Sequence, residues 1–491
     1  MASPTSRALL FIGRFISTPE PNTLSIQIGA ILVSPADGAI KKVDWNVTDV
    51  ESALKSFQLN ASDVDVIQSQ SEGFFFPGFI DTHIHAPQYP NVGLFGKSTL
   101  LEWLQTYTFP MEASLGNPSS PHYDPSLRPQ PQTPSTSDPL ARAHEVYTRV
   151  IRKTLSHGTT TASYYATNHV PATKLLFTLA HQHGQRAFIG RACMDNPETC
   201  PDYYRDPSTE ATIANELECI SHSHSIDPKR TLISPIITPR FAPSCLSRTL
   251  TALGDLSKSH SLPIQTHISE NLNEVSLVKH LFPSSSSYAS VYDTHGLLTP
   301  RTVLAHAVHL SPSEMKLISQ RQSKISHCPA SNSALGSGIC PVRELLSQGI
   351  TVGLGTDVSG GYSVSLLESV RGACLVSRLV GFTKRSLTEG GEYANEEKPD
   401  NQIPPPLSVT ESLHLATVSG AKVLGLESTV GKFDIGFKFD VQEISLSNSA
   451  NSNVDIFPWE TWQEKVEKWV WNGDDRNVRR VWVQGRLVHE L

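Results

Sequence analysis

Residues 74–85 constrain the fold most strongly, because an apolar segment there runs directly into two histidines. Phe74–Ile80 is rich in aromatic and β-favouring residues, which is typical of a buried parallel strand. In an extended chain residues i and i+2 point to the same side, so His83 and His85 present two imidazoles together. Such a pair suits a borderline-soft cation such as zinc. The alternative is two ordinary polar residues at the end of a strand.

A second His-x-His sequence in the chain has a different local setting. His181 and His183 close an apolar, helix-like stretch over 173–180, and Gly184 follows them. On a helix with ~3.6 residues per turn, side chains at i and i+2 diverge by roughly 200°. We therefore expect this pair, and likewise the polar stretch around His222 and His224, to lie on the surface.

The middle of the chain alternates strand-like with helix-like segments. Helix-length stretches such as Ala141–His157 and Pro312–Gln322 separate apolar, β-favouring runs. Eight such runs are recognised, at Phe75–His85, Thr159–Ala166, Ala187–Ala192, Thr231–Ile237, Pro263–His267, Thr302–His306, Lys324–Cys328 and Ile350–Asp357. Eight strands with intervening helices predict an α/β fold of the (β/α)8 barrel (TIM barrel) type.

The two ends of the chain read as β-structure. Ala8–Gly13 favours a first strand over a targeting segment, and strands with tight turns are predicted over 431–441 and 481–488. We expect three parts, in which 1–72 and 426–491 form one small β-sandwich-like domain and 73–425 forms the barrel. Segments near 117–139 and 385–406, together with the serine run 284–287, are expected to be loop insertions.

Composition narrows the classes of partner. The 491 residues carry a formal charge of −7, which gives no electrostatic signature of nucleic-acid binding. No run of ~18 apolar residues could span a membrane. Seven cysteines without a Cys-x-x-Cys pattern indicate reduced thiols and a cytoplasmic location. A small-molecule substrate is the expected partner.

Candidate functional residues follow from the predicted barrel, whose active sites lie at the carboxyl ends of the strands. Side chains capable of binding a metal or a polar ligand fall at five of those ends. They are His83, His85, Arg240, His267, His306 and Asp357. Each histidine alone could be a structural polar residue, but their common position at one rim predicts a metal-dependent active site.

These residues lie in motifs that resemble the guanine deaminase branch of the amidohydrolase superfamily. The motifs are Pro77-Gly-Phe-Ile-Asp-Thr-His-Ile-His-Ala-Pro-Gln-Tyr, Leu101-Glu-Trp-Leu-Gln-Thr-Tyr-Thr-Phe-Pro, Thr238-Pro-Arg-Phe, Thr266-His-Ile-Ser-Glu-Asn, Ala305-His, His327-Cys-Pro-Ala-Ser-Asn and Gly353-Leu-Gly-Thr-Asp-Val-Ser-Gly-Gly-Tyr. The first marks the superfamily; Gln88-Tyr89, Leu-Glu-Trp-Leu and Pro-Arg-Phe point to the branch.

The resemblance implies a role for each matching position. The positions that hold one zinc ion in that family are matched by His83, His85, His267 and Asp357. The positions taking part in catalysis are matched by Glu270, His306 and Asp357. The positions lining the base pocket are matched by Gln88, Arg240, Phe241, His267 and His306. A homodimer is the family expectation.

The implied reaction is the hydrolytic deamination of guanine to xanthine and ammonia, a step of purine catabolism. Zinc would lower the pKa of its water from ~15.7 to about 7, giving hydroxide for attack at C2. Glu270 would protonate N3 and then the leaving amine, and Asp357 would accept the proton of the attacking water.

Four alternatives are weighed against this interpretation. Two-metal relatives bridge their metals with a lysine at the end of the fourth strand, whereas here Lys229 lies at its opposite end. The unrelated zinc deaminases need Pro-Cys-x-x-Cys, which is absent from the sequence. A related one-metal hydrolase acting on a pterin, triazine or 8-oxoguanine stays open, as does a catalytically inactive scaffold.

Overall fold

The computed structural model describes residues 7–116, 140–383, 405–447 and 452–491. Its strands are β1 Ala8–Glu20, β2 Thr23–Val33, β3 Ile40–Asp44, β4 Val64–Gln68, β5 Gly73–Pro77, β6 Phe79–His85, β7 Thr159–Tyr165, β8 Arg186–Gly190, β9 Ile233–Pro235, β10 Ile264–Ile268, β11 Thr302–His306, β12 Lys324–His327, β13 Val352–Leu354, β14 Val441–Ser445, β15 Val478–Val483 and β16 Arg486–Glu490.

The helices of the described residues are mostly short. They are α1 Val50–Phe57, α2 Leu100–Trp103, α3 Phe109–Ser114, α4 Ala141–Ser156, α5 Val170–His183, α6 Thr209–Ile226, α7 Ser247–His260, α8 Leu272–Leu281, α9 Tyr288–Thr294, α10 Pro312–Gln320, α11 Pro329–Ala334, α12 Val342–Ser347, α13 Leu366–Thr383, α14 Val409–Leu415, α15 Val418–Val423 and α16 Trp462–Asn472. A π-helical turn, Leu104–Thr108, joins α2 to α3.

Eight parallel strands form the barrel as two four-stranded sheets, β6-β7-β8-β9 and β10-β11-β12-β13. A parallel bridge between Ile237 and Ile264 joins the sheets at one seam. At the other seam the Asp357 N–H donates to the His83 carbonyl and the His85 N–H donates to the Val358 carbonyl. The alternating strands and helices predicted from the sequence are confirmed, and all carboxyl ends of the strands meet at one rim.

The apolar run before the histidines is divided, which corrects the single parallel strand expected over Phe75–His85. β5 pairs antiparallel with β14, whereas β6 pairs parallel with β7. The break falls at Gly78, where a Cβ would lie 2.2 Å from side-chain atoms of Thr160. Apolar residues on both sides of the break conceal it in the sequence.

Both termini contribute to one eight-stranded sheet, as expected for the terminal domain. Its order is β16-β15-β14-β5-β1-β2-β3, with β4 paired to β1. Alternation along β1 turns Phe11 and Phe15 to one face, in a cluster with Phe75. Leu10 and Ile12 face the opposite side and pack with α1 residues. Residues 431–440, expected as strand, are instead irregular, with bends, a turn at 435–436 and one isolated bridge between Ala39 and Lys438, and the strand begins at Val441.

Other local expectations have mixed outcomes. α5 ends at Gly184, whose positive φ of 77° closes the helix, and His181 is exposed as expected. The serine run is a loop that ends in Ser287, the N-cap of α9. The expected insertion 117–139 lies outside the described residues, as does 385–406 except for its last two.

Two further observations concern the cysteines and the possibility of membrane-spanning helices. All seven cysteines are unpaired and buried. In the part of the chain that the structure describes, no helix combines the length and the apolar character needed to cross a bilayer.

Candidate active site

Four of the predicted side chains converge at the carboxyl rim of the barrel. Nε2 of His83 lies 3.1 Å and Nε2 of His85 lies 3.3 Å from Oδ1 of Asp357. The Nε2 atoms of His85 and His267 are 3.2 Å apart. β6, β10 and the loop after β13 carry these residues, so the common rim of the barrel brings together positions as far apart in the sequence as His83 and Asp357.

Backbone geometry at the rim is unusual. His306 and Asp357 have positive φ angles of 73° and 48°, a left-handed conformation that is uncommon for non-glycine residues and clusters at functional sites. Both residues lie at or just beyond a strand end. The local backbone therefore turns these two side chains at some energetic cost.

The protonation states of His85 and His267 favour the binding of a metal ion by these side chains. Burial lowers the pKa of His85 to about 4 and lowers that of His267 well below its usual value, so both rings are neutral at pH 7. Nδ1 of His267 lies 2.5 Å from the Arg240 carbonyl oxygen, which can only accept. Nδ1 therefore carries the proton, and the unprotonated Nε2 faces the cluster.

Asp357 supplies the anionic member of the cluster. Burial alone raises the pKa of its carboxyl group, but the adjacent His83 and His85 rings lower it well below the usual value. Neutral imidazole nitrogens and a carboxylate are the donor set of zinc and related divalent ions. Two overlapping groups have ligand atoms within 4.8 Å of one another: His83, His85 and Asp357, and His83, His267 and His306. The residues present thus fit a metal ion.

A second carboxyl group, Glu270, lies beside the cluster. Its Oε2 is 3.4 Å from Nε2 of His306, and its Oε1 accepts a hydrogen bond of 2.9 Å from the Ser337 hydroxyl. Nδ1 of His306 pairs with Oδ1 of Asn332 at 2.9 Å. Burial, and then the charge of Asp357, raise the pKa of Glu270 to about 8. This carboxyl group is suited to hold and release a proton near neutral pH.

Arg240 belongs to a buried ion pair, a role that the sequence left open for this residue without identifying the partner. Its Nη1 and Nη2 donate to the two carboxylate oxygens of Glu112 at 2.7 and 3.1 Å. Its guanidinium carbon lies 5.2 Å from the centre of the Phe109 ring. Burial alone raises the pKa of Glu112, but the charge of Arg240 holds it below the usual value.

Gln88 shares the same carboxylate. Its Nε2 donates to Oε1 of Glu112 at 2.8 Å, and its Oε1 accepts from the Ser359 N–H at 3.1 Å. Tyr204 donates to Oε2 of Glu112 at 2.6 Å. Glu112 is fully buried, so it receives its hydrogen bonds entirely from protein groups.

One cavity connects the cluster with these polar groups. The predicted residues that line it are His85, Gln88, Arg240, Phe241, His267, Glu270, His306 and Asp357. Of the predicted set only His83, which is also buried, is absent from the lining. Trp103, Leu104 and Leu335 give the cavity apolar walls.

Sequence reasoning missed the residues that hold the others in place. Asp81 accepts from the N–H and hydroxyl of Thr356 and so ties β6 to the segment before Asp357. Glu274 also lines the cavity and accepts from the Glu270 N–H at 2.8 Å. The only available signal for Glu112 was its position two residues beyond the Leu101–Pro110 motif.

Comparison with known proteins supports a family assignment. The Amidohydrolase family model matches residues 74–488. A probable guanine deaminase from Schizosaccharomyces pombe is 43% identical over 481 residues, covering 98% of this chain and 83% of that protein. A guanine deaminase from Dictyostelium discoideum is 37% identical and covers 98% of both chains. A crystal structure of guanine deaminase from C. acetobutylicum with bound guanine superposes with a TM-score of 0.81 at 32% identity, covering 98% of this chain and 100% of that one.

The fold and the family relatives define a barrel hydrolase, and this chain carries a buried cluster of histidine and aspartate side chains at the carboxyl ends of its strands. Within that class, the chain belongs to the amidohydrolase family.

Proposed function

We propose that this protein is a guanine deaminase, which converts guanine and water into xanthine and ammonia. The observation that carries the proposal is the single cavity lined by both the histidine–aspartate cluster and the polar groups of Gln88 and Arg240. Similarity to proteins named guanine deaminase over 98% of the chain supports the same substrate.

We propose zinc as the metal, one ion per chain, held by His83, His85, His267 and Asp357. When bound, zinc supplies an activated water as the nucleophile near neutral pH. Elemental analysis of the purified protein should give one equivalent. His83→Ala and Asp357→Ala should each lose both metal and turnover, whereas two equivalents in the active protein would contradict the assignment.

The proton transfers are assigned to the two buried carboxyl groups. The water oxygen bonds to C2 of guanine, the C2–N bond to the exocyclic amine breaks, and ammonia leaves. Glu270 starts protonated and delivers this proton to N3. It then takes the remaining hydroxyl proton from the C2 adduct and passes it to the departing amine, so that C2=O forms as ammonia leaves, and the proton held by Asp357 finally restores Glu270. Asp357 accepts the proton that the attacking water gives up, while His306, held by Asn332, lies beside Glu270 and orients the reacting groups.

Recognition of guanine is assigned to Arg240, Gln88 and Phe241. Guanine offers an acceptor at O6 and a donor at N1, whereas adenine offers a donor amine and an acceptor at the corresponding atoms. Arg240 has only donors and can satisfy O6, and Gln88 has both a donor and an acceptor. Leaving a buried polar partner unpaired costs ~1–3 kcal/mol, which is enough to reject adenine.

The direct test is ammonia release by purified protein with guanine, adenine, cytosine, ammeline and 8-oxoguanine. Guanine should be the substrate with the highest kcat/KM. A preference for ammeline or 8-oxoguanine would favour a related aminohydrolase, and no turnover with any of them would favour an inactive scaffold.

A homodimer and a cytoplasmic location are proposed from the family resemblance, and the seven unpaired cysteines are consistent with a reducing compartment. Sedimentation of the purified protein should give the mass of two chains. Imaging of a tagged full-length chain should show fluorescence throughout the cytoplasm.

A further inference from the structure

The helical segment 100–114, formed by α2, the π-helical turn and α3, carries the Leu-Glu-Trp-Leu motif and forms part of the cavity wall. We propose that Glu112, at the end of this segment, is the positioning residue that sets the orientation of both base-reading side chains, Arg240 and Gln88. This inference rests on the proposed function and deepens it, because it assigns the selectivity of that cavity to a residue outside its lining.

The contact with Arg240 fixes the plane of the guanidinium group. Both terminal nitrogens donate to Glu112, at 2.7 and 3.1 Å, in a two-pronged arrangement that is rigid as well as strong. The Phe109 ring, three residues earlier on the same segment, covers the guanidinium at 5.2 Å. Arg240 therefore presents its remaining N–H groups to the cavity in one orientation.

The contact with Gln88 fixes the direction of its amide. A carboxylate can only accept, so the NH2 end of Gln88 must face Glu112. The carbonyl end faces the Ser359 N–H, which can only donate. Reversing the amide would place like groups against each other at both ends. Glu112 thus determines which end of Gln88 presents a donor and which an acceptor to a bound base.

The charge of Glu112 also balances the cavity. Arg240 is 2% exposed and Glu112 is fully buried, so the pair brings no net charge to the wall. A neutral heterocycle such as guanine is matched by a neutral wall, whereas an uncompensated buried cation would favour anionic ligands.

The test compares Glu112→Gln with the parent enzyme in steady-state guanine deamination, with metal content measured in each. Glu112→Gln keeps the shape of the side chain but removes its charge and lets the Gln88 amide reverse. We expect KM for guanine to rise by about ten- to hundredfold, with kcat changed less than about threefold and metal content unchanged. An unchanged KM, or equal losses in kcat and metal content, would overturn the inference.

A matched control is Asp440→Asn. Asp440 makes a similar buried two-pronged pair with Arg186, at 3.0 and 3.3 Å, at the first residue of β8 and so at the opposite end of the barrel. This variant should lower the melting temperature while leaving KM for guanine unchanged. An equal rise in KM in the control would show that breaking any buried pair has the same effect, and the positioning role would be wrong.

Glu112→Asp provides a second measurement if Glu112→Gln does not fold. It keeps the charge but draws the carboxylate back by one methylene, so KM should again rise more than kcat falls; native KM and kcat would overturn the inference. If the parent enzyme releases no ammonia from guanine, the proposed function itself is wrong. This outcome is distinct from a failure of the positioning role, in which the parent is active and the Glu112 variants have its KM.

Discussion

At the scale of single residues, Arg240 links the histidine–aspartate cluster with the polar wall of the cavity. Its backbone carbonyl lies 2.5 Å from Nδ1 of His267 and fixes the tautomer of that ring. Its side chain reaches the cavity wall and pairs with Glu112. A substitution at this position therefore changes the side-chain functions while leaving the backbone contact in place.

Arg240→Ala should abolish most guanine turnover without loss of metal, because the carbonyl that orients His267 remains. It should also reduce stability by about 3–5 kcal/mol, since Glu112 is left as an uncompensated buried charge. Arg240→Lys should recover only part of the activity, because lysine lacks the planar guanidinium group of arginine. Kinetics, denaturant unfolding and metal analysis check the three parts, and unchanged kcat/KM in Arg240→Ala would move recognition elsewhere.

Glu270→Gln should retain the metal and the fold while losing about 10²–10⁴-fold in kcat, the usual contribution of a general acid–base. The amide keeps an acceptor for Ser337 but cannot carry a proton between N3 and the amine. Ser337→Ala serves as a comparison and should lose much less. Near-native deamination by Glu270→Gln would rule out the proton-transfer role.

At the scale of elements, periodicity in the sequence was sufficient to locate the eight barrel strands and the residues at their ends. Strand ends are recognisable because β-favouring runs reach a polar residue there: His306 is the last residue of β11, and His267 lies one residue before the end of β10. The pair of Glu112 and Arg240 was not recognisable, since its members are 128 positions apart and Glu112 lies on a short helix that follows a π-helical turn. No local sequence pattern, such as a turn motif or a repeat, predicts a contact between two residues so far apart.

Gly78→Ala should destabilise the protein, because the new Cβ would lie 2.2 Å from two atoms of the Thr160 side chain. Overpacking of a buried contact typically costs ~1–3 kcal/mol. Thermal unfolding of Gly78→Ala, Thr160→Ala and the double variant measures the coupling. The double variant should recover part of the loss, and simple additivity would show that the two residues do not meet.

Glu216→Gln tests a buried carboxyl group on α6 that does not line the cavity of the candidate active site. Burial raises the pKa of Glu216 to about 7 even though Arg191 lies 3.4 Å away, because Arg191 is already paired with Asp206 at 2.9 Å. Between the unfolded value of about 4.3 and the folded one, the folded chain keeps a proton that the unfolded chain has lost. Stability therefore falls as the pH rises through this window, by at most about 1.4 kcal/mol per unit.

We expect the free energy of unfolding to depend less on pH between about 4.5 and 7 in Glu216→Gln than in the parent. Urea unfolding at intervals of half a pH unit measures this dependence. Glu218→Gln, on the exposed part of the same helix, should leave the parent curve unchanged. Parallel curves for the parent and Glu216→Gln would contradict the predicted protonation.

At the scale of the whole molecule, the terminal sheet and the barrel are attached away from the active site. The Arg186–Asp440 pair connects the amino end of β8 with the residue before β14. Phe74 and Phe76 of β5 pack against Trp469 of α16, with ring centres 5.4 Å apart in each case. The sequence indicated that both termini share one sheet, but it could not show that β5 belongs to that sheet, because Phe74–Phe76 is as apolar as a barrel strand.

The pairing of β5 with β14 has a consequence for synthesis of the chain. Pro77 pairs with Val441, roughly 360 residues later, and at about 5–20 residues per second the ribosome needs tens of seconds to make that length. Until then three phenylalanines that are fully buried in the finished protein have a single bridge to β1, between Phe15 and Phe75, to hold their strand. During most of the synthesis of the chain, the edge of β5 that will pair with β14 therefore has unpaired backbone groups, which favour aggregation. Slower translation would lengthen its dependence on chaperones even though the folded enzyme is unchanged.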